Sequence, residues 1–143
     1  MAAKIIAYTD GGARGNPGPA GSGAYIIDEV GTVLKEAHRG FKHATNNFAE
    51  YSAVILALEE IQKLVPEEKR KEITLEIRMD SELVCKQMNG LYRVKHPGII
   101  PLYTQVKKLV AHFPHTKFVH VRREQNKDAD RLSNVAMDEA QLL

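Results

Sequence analysis

The sequence has one cysteine, no tryptophan, no apolar run long enough to span a membrane and almost no excess of either charge sign. Each shortage closes off a class of protein. Cys85 alone cannot form an intramolecular disulfide, which fits a reducing compartment and a structural thiol. No stretch approaches the roughly 20 apolar residues of a membrane-spanning helix. Met1-Ala2-Ala3-Lys4 runs straight into a strand pattern without the apolar core of a signal peptide, so a cytoplasmic location is expected. A formal charge of +2 is too small to mark a nucleic-acid binder by charge alone. Internal repeats and low-complexity tails are also missing, so a single domain over residues 1–143 is expected, long enough to bury a core without staples.

The chain carries alternating strand and helix signals instead. A first strand reads from Lys4 to Asp10, followed by a turn-rich segment from Gly11 to Gly21. Ser22 to Asp28 and Thr32 to Gly40 read as a hairpin across Glu29-Val30-Gly31. Thr45 or Asn46 caps a helix in which Val54, Leu58, Ile61 and Val65 recur at helical spacing, predicting one face packed on a sheet. Pro66 and the charged run Glu67 to Lys71 read as a solvated connection. A fourth strand, Ile73 to Met79, feeds a short helix from Ser81 to Met88 that Asn89-Gly90 stops. Tyr92 to Gly98 is irregular, and a helix runs from Ile99 or Pro101 to His112. Thr116 to Arg122 is the fifth strand, and Asn126 to about Ala140 the last helix. Three strands joined by turns, then strands separated by helices, imply an α/β fold with a mixed five-stranded sheet.

Asp10, Glu50, Asp80 and Asp130 each fall at the end of such an element. Taken singly they have ordinary explanations: Glu50 and Asp130 in first turns favour the helix dipole, and Asp80-Ser81 caps the short helix. Asp10 resists this, because the period-2 rule puts it on one strand face with Ile6 and Tyr8, where a carboxylate without a partner is costly. Acids at neighbouring rims repel unless a cation holds them together, and hard oxygen donors suit Mg²⁺ or Mn²⁺. The chain therefore reads as a metal-dependent enzyme acting on phosphates. A P-loop is excluded as the phosphate site: the glycine-rich Asp10–Gly18 lacks Gly-Lys-Ser/Thr and precedes a strand rather than a helix.

Five blocks occur in order: Tyr8-Thr9-Asp10-Gly11-Gly12, Gly15-Asn16-Pro17-Gly18-Pro19-Ala20-Gly21, Thr45-Asn46-Asn47-Phe48-Ala49-Glu50, Met79-Asp80-Ser81, and Asn126-Lys127-Asp128-Ala129-Asp130. Together they resemble type 1 ribonuclease H over essentially the whole chain. The resemblance implies a ribonuclease H-like fold, three antiparallel strands then two parallel ones, flanked by helices. It implies hydrolysis of the RNA strand of RNA/DNA hybrids, leaving 5′-phosphate and 3′-hydroxyl ends, with two Mg²⁺ ions and Mn²⁺ as a substitute. Carried over, Asp10 would contact both ions, Glu50 and Asp80 one, and Asp130 the other; Glu50 would also position the attacking water. Asn16, Asn46 and Asn47 match residues that read the hybrid's minor groove, Thr45 matches one that holds a DNA phosphate, and Gly11 joins this substrate-binding set. No obligate protein partner and a monomer are expected.

Three departures from the family pattern stand out. The mobile His that many bacterial members carry before the last helix has only His120 as a counterpart, inside the fifth strand, so Arg123 or Arg122 is the favoured substitute. Glu82 stands where many members have an amide that touches substrate. Leu91 to Gly98 is short and lacks the Trp of the usual basic protrusion, leaving Arg93, Lys95 and His96 as a smaller candidate phosphate strip. Two alternatives stay open: an enzyme that also cuts double-stranded RNA, and a non-catalytic hybrid-binding module.

Overall fold

The computed structural model describes residues 4–143; the expectation for Met1 to Ala3 lies outside them. Five strands, β1 (Lys4–Ala13), β2 (Gly18–Asp28), β3 (Val33–Ala44), β4 (Thr74–Met79) and β5 (Thr116–His120), form one sheet in the order β3-β2-β1-β4-β5. The helices are α1 (Asn46–Leu64), α2 (Glu82–Met88), α3 (Ile100–Val110) and α4 (Lys127–Ala140). β1, β2 and β3 pair antiparallel, whereas β4 runs parallel to both β1 and β5. This is the expected arrangement. Among the described residues no helix is long and apolar enough to cross a membrane.

The parallel β1–β4 register decides where the acids appear. Tyr8 lies opposite Arg78 and Thr9 opposite Met79, so Asp10 and Asp80 come next on each strand and emerge side by side. On the row below them, Nη1 of Arg78 donates to the Tyr8 hydroxyl at 2.6 Å, so this strand face is a polar seam rather than an apolar one.

The glycine-rich segment is mostly strand, with the turn confined to residues 14–17, correcting the expected boundaries. β1 continues past Asp10 to Ala13, pairing Gly11 with Ser22 and Gly12 with Gly21, while β2 begins at Gly18 and β3 reaches Ala44. The reason is long-range. A Cβ on Gly11 would lie 2.3 Å from the Ala49 carbonyl, and one on Gly23 would lie 2.5 Å from the Ala129 carbonyl. α1 and α4 thus press against opposite faces of the sheet at one end, and the strands can only pair there without side chains.

α1 differs from expectation in a second respect. It is buried on nearly every side, from Tyr51 and Val54 to Leu58 and Ile61 but also at Ala53, Leu56 and Ala57. It packs on β1, β2 and β3 with one face and on α3 and α2 with the other, which is why its apolar pattern is not confined to one stripe. The run at Glu67–Glu72 is solvated, as expected, and is wound into a 3₁₀ turn, held where Arg70 donates to the carbonyls of Val65 and Gln62, both at 3.2 Å. α3 ends at Val110, short of His112, and β5 ends at His120, short of Arg122.

Candidate active site

Asp10, Glu50, Asp80 and Asp130 line one open cleft of about 320 Å³, joined there by Asn46 and Arg123. Four elements deliver them. Asp10 comes from within β1, Asp80 directly follows β4, Asp130 lies in the first turn of α4, and Glu50 is the fifth residue of α1. Glu50 is therefore beyond the first turn, where the helix dipole has faded, and the ordinary explanation offered for it fails. A larger apolar groove of about 730 Å³ adjoins Thr45 between Phe41, Phe48 and Ile99. It holds no carboxylate, so chemistry rather than volume selects the acidic cleft.

Crowding perturbs the acids. Burial is the main cause that drives the Asp10 carboxyl from 3.8 up to about 8. The Asp80 charge adds to it, as do the hydrogen bond and charge of Asp130, and only the Gly11 amide, donating at 3.0 Å, pulls the other way. Glu50 is raised by burial and by Asp80, while a hydrogen bond with Ser81 lowers it. Among the described residues no three acidic, imidazole or thiol groups are drawn in to the spacing that would already enclose a cation. The donor set nevertheless fits one. Four carboxylates converge, Arg123 is the one basic side chain lining the cleft, and Asp10 keeps its proton because it is buried and because Asp80 and Asp130 repel the charged form. A divalent cation would relieve that repulsion and release the proton.

The candidate substrate residues share a hydrogen-bonding pattern. Oδ1 of Asn16 accepts from the Asn46 amide at 3.0 Å, and Oδ1 of Asn46 accepts from the Ala13 amide at 2.7 Å. Oγ1 of Thr45 accepts from the Phe48 amide at 3.1 Å as the cap of α1. In each the acceptor is used by the fold, so the donor capacity of the amide NH₂ or hydroxyl is what remains for a substrate. Capping and recognition are thus compatible roles. Asn47 follows, half-buried, on the same first turn. Gly11 lines the cleft, but the approach of α1 already explains its lack of a side chain.

The structure separates the auxiliary candidates. Arg123 opens a 3₁₀ turn, Arg123–Gln125, and lines the cleft. Arg122 precedes it on the exposed surface and is not among the lining residues. His120 closes β5 with its Nε2 3.2 Å from the backbone carbonyl of Asp80.

Asn126 is the residue that sequence reasoning missed. It is 1% exposed, makes no helix cap, and its Nδ2 donates to the Thr9 carbonyl at 2.8 Å and reaches Asp80 Oδ2 at 3.4 Å. It ties β1, the end of β4 and the start of α4 together behind the acids. An asparagine before a helix reads as a cap in sequence, which hides this role.

A family model described as reverse transcriptase-like matches residues 8–136. The bifunctional protein Rv2228c of Mycobacterium tuberculosis is 43% identical over 138 residues, 96% of this chain and 36% of that protein. The chain thus spans about a third of the length of that curated relative. Ribonuclease HI of Halobacterium salinarum is 36% identical over 137 residues, 96% of this chain and 66% of that protein. LC11-RNase H1, isolated from compost by a metagenomic approach, is 46% identical with a TM-score of 0.90, and the match covers 97% of this chain and 99% of that one. LC11-RNase H1 has also been solved in complex with an RNA/DNA hybrid. Shared sequence across the full length, the same sheet and a cleft that gathers the four motif acids lead to one conclusion: the chain belongs to the type 1 ribonuclease H family.

Proposed function

We propose that this chain hydrolyses the RNA strand of RNA/DNA hybrids, with Asp10, Glu50, Asp80 and Asp130 holding two divalent cations, Mg²⁺ or Mn²⁺, and leaves 5′-phosphate and 3′-hydroxyl ends. The observation that carries this is the convergence of the four acids on one open cleft, in a chain similar throughout to a protein solved with a hybrid. Bound cations would supply Lewis-acid activation of water and charge neutralisation at the leaving oxygen. The chain's own residues do the rest. Asp10 gives up its proton on loading, so cation affinity rises with pH up to about 8. Glu50, hydrogen-bonded with Ser81, would position the attacking water. The remaining donors of Asn16, Asn46 and Thr45 suit ribose 2′-hydroxyls and phosphate oxygens, which reads shape and sugar rather than base sequence. The test is cleavage of labelled hybrid, double-stranded RNA and duplex DNA with Mg²⁺ or Mn²⁺. Cutting confined to the RNA of the hybrid supports the reading, equal cutting of double-stranded RNA broadens the substrate, and binding without cutting reduces the chain to a recognition module.

Arg123 is the side chain we assign to turnover. Its position in the cleft lets the guanidinium meet a phosphate oxygen, and losing one charged hydrogen bond costs about 10–100-fold. Arg123→Ala should slow multiple-turnover cleavage by that order with binding retained. Arg122→Ala should leave the rate unchanged, and His120→Ala should change it by no more than about threefold. Steady-state kinetics on the three variants decide the assignment, which fails if His120→Ala is the slow one.

Hybrid binding should depend only weakly on salt. Beyond the cleft, the exposed Arg93, Lys95 and His96 are the candidate phosphate contacts in the stretch where many bacterial members of the family carry a basic protrusion. With about 2–4 phosphates neutralised, log K should fall with log salt at a slope of roughly −2 to −4, and cutting should be distributive. Fluorescence anisotropy in Ca²⁺ measures the slope; a value near −8 would reveal another basic surface on the DNA strand.

A further inference from the structure

Glu82 and Lys86 form an ion pair one turn apart on α2, with Nζ 3.0 Å from Oε1. The same ammonium donates to the Tyr92 hydroxyl at 3.3 Å and lies 5.0 Å from the centre of that ring. Glu82 also lies within electrostatic reach of His120, whose Nε2 is 3.2 Å from the Asp80 carbonyl. Lys86 is the one basic residue of α2, and its partner stands two residues from a cleft acid. A carboxylate here opposes what a polyanion site needs, since it repels phosphate and occupies the nearest ammonium. The pair is also exposed, at 63% for Glu82 and 35% for Lys86, so its attraction is weak enough for a doubly oxygenated phosphate to displace.

We propose that Glu82 is a specificity-setting residue that masks Lys86, yielding the ammonium to a backbone phosphate only when a nucleic acid is seated in the acidic cleft. This rests on the functional reading above. With the mask in place, Lys86 adds nothing to loose encounters with other polyanions. Its contact is made late, at the expense of the Glu82 pair, so the mask raises Kd and KM and leaves kcat alone. A pair that merely stabilised α2 would change melting temperature and nothing in the salt response.

The experiment compares the whole protein with Glu82→Gln, Lys86→Met and the double variant. Glu67→Gln, in the 3₁₀ turn beyond α1, controls for the same change in net charge. Hybrid Kd is measured by anisotropy in Ca²⁺ between 50 and 200 mM salt, and KM and kcat in Mg²⁺. Glu82→Gln should lower Kd and KM by about 3–10-fold at the lowest salt and steepen the log K slope by about 0.9, one more phosphate. Its kcat should stay within about twofold of the parent, because the new contact is made equally in ground and transition states. Adding Lys86→Met should return both values to about those of the parent, Lys86→Met alone should weaken binding because it removes the phosphate contact and leaves the Glu82 carboxylate unpaired, and Glu67→Gln should change little. Tightening that survives loss of Lys86, or that Glu67→Gln reproduces, would overturn the proposal in favour of plain charge repulsion, and a fall in kcat or no change in Kd would overturn it as well. If the parent neither binds nor cuts hybrid, the functional reading itself fails, and the parent alone reveals that.

Discussion

Asp10→Asn should abolish hybrid cleavage, by about 10³-fold or more, and at the same time make the cation-free protein more stable at pH 8. The first effect follows from charge. The amide keeps the shape of the carboxyl but removes the ionisable group that faces both Asp80 and Asp130, and loss of one preorganised group at a reacting centre commonly costs about 10²–10³ before any loss of cation is counted. The second follows from linkage. In the fold Asp10 holds its proton up to about 8, whereas unfolded it loses it near the ordinary value of 3.8. The folded state therefore binds more protons between those limits. The stability this group contributes is complete below about pH 4 and lost progressively as pH rises towards 8. Asparagine does not titrate, so the variant should match the parent near pH 4 and melt several degrees above it at pH 8, each kcal/mol being worth about 3–5 °C in a chain of this size. Mg²⁺ should raise the melting temperature of the parent at pH 8 and do much less for the variant. Cleavage by Asp10→Asn at near the parent rate would remove Asp10 from the site, and parallel melting profiles from pH 4 to 8 would remove the crowding argument.

The acids were legible because local patterns placed them. A strand pattern ran into Asp10, another ended at Asp80, and two helix starts lay close to Glu50 and Asp130, so four short-range signals pointed at a common edge. What the patterns could not supply was the approach of elements distant in sequence. The segment after Asp10 looks like a turn because it is rich in glycine, yet Gly11 pairs with Ser22 and leaves room for the backbone of α1. Likewise Val54, Leu58 and Ile61 suggested one buried stripe, but Ala53 and Leu56 are buried too, since α1 is covered by the sheet and by α3 at once. Asn126 was hidden for the same reason: its partners, Thr9 and Asp80, come from two other elements. Side-chain amides show the limit most clearly. Asn16 and Asn46 were readable as recognition residues by resemblance, whereas the fact that their side-chain oxygens are spent on backbone amides of the fold needed coordinates.

Gly11→Ala should be strongly damaging, and Gly12→Ala, one residue on, among the mildest of the glycine substitutions. A Cβ at position 11 would sit 2.3 Å from the carbonyl carbon and oxygen of Ala49 and 2.5 Å from the amide of Glu50. All three atoms are backbone, so no rotamer change can clear them and α1 must move away from β1 by about an ångström in a close-packed interior. Overpacking typically costs about 1–3 kcal/mol, and a clash between two backbones belongs at or above the top of that range. A fall in melting temperature of roughly 10 °C is expected. The displaced atoms include the amide of Glu50 itself, so the shift pulls that carboxylate away from Asp10 and Asp80, and an ångström of misplacement can cost about 10²-fold in rate. At position 12 the nearest neighbours are Cε and Sδ of Met137, at 3.6 and 3.8 Å, which is ordinary contact with a flexible side chain. Melting curves and single-turnover cleavage of the two variants make the comparison. The resemblance assigned Gly11 to substrate contact, and an alanine keeps the amide that such a contact would use. If Gly11→Ala melts like the parent and loses only hybrid binding, the glycine is there to admit the substrate, and the packing of α1 against β1 is not what excludes its side chain.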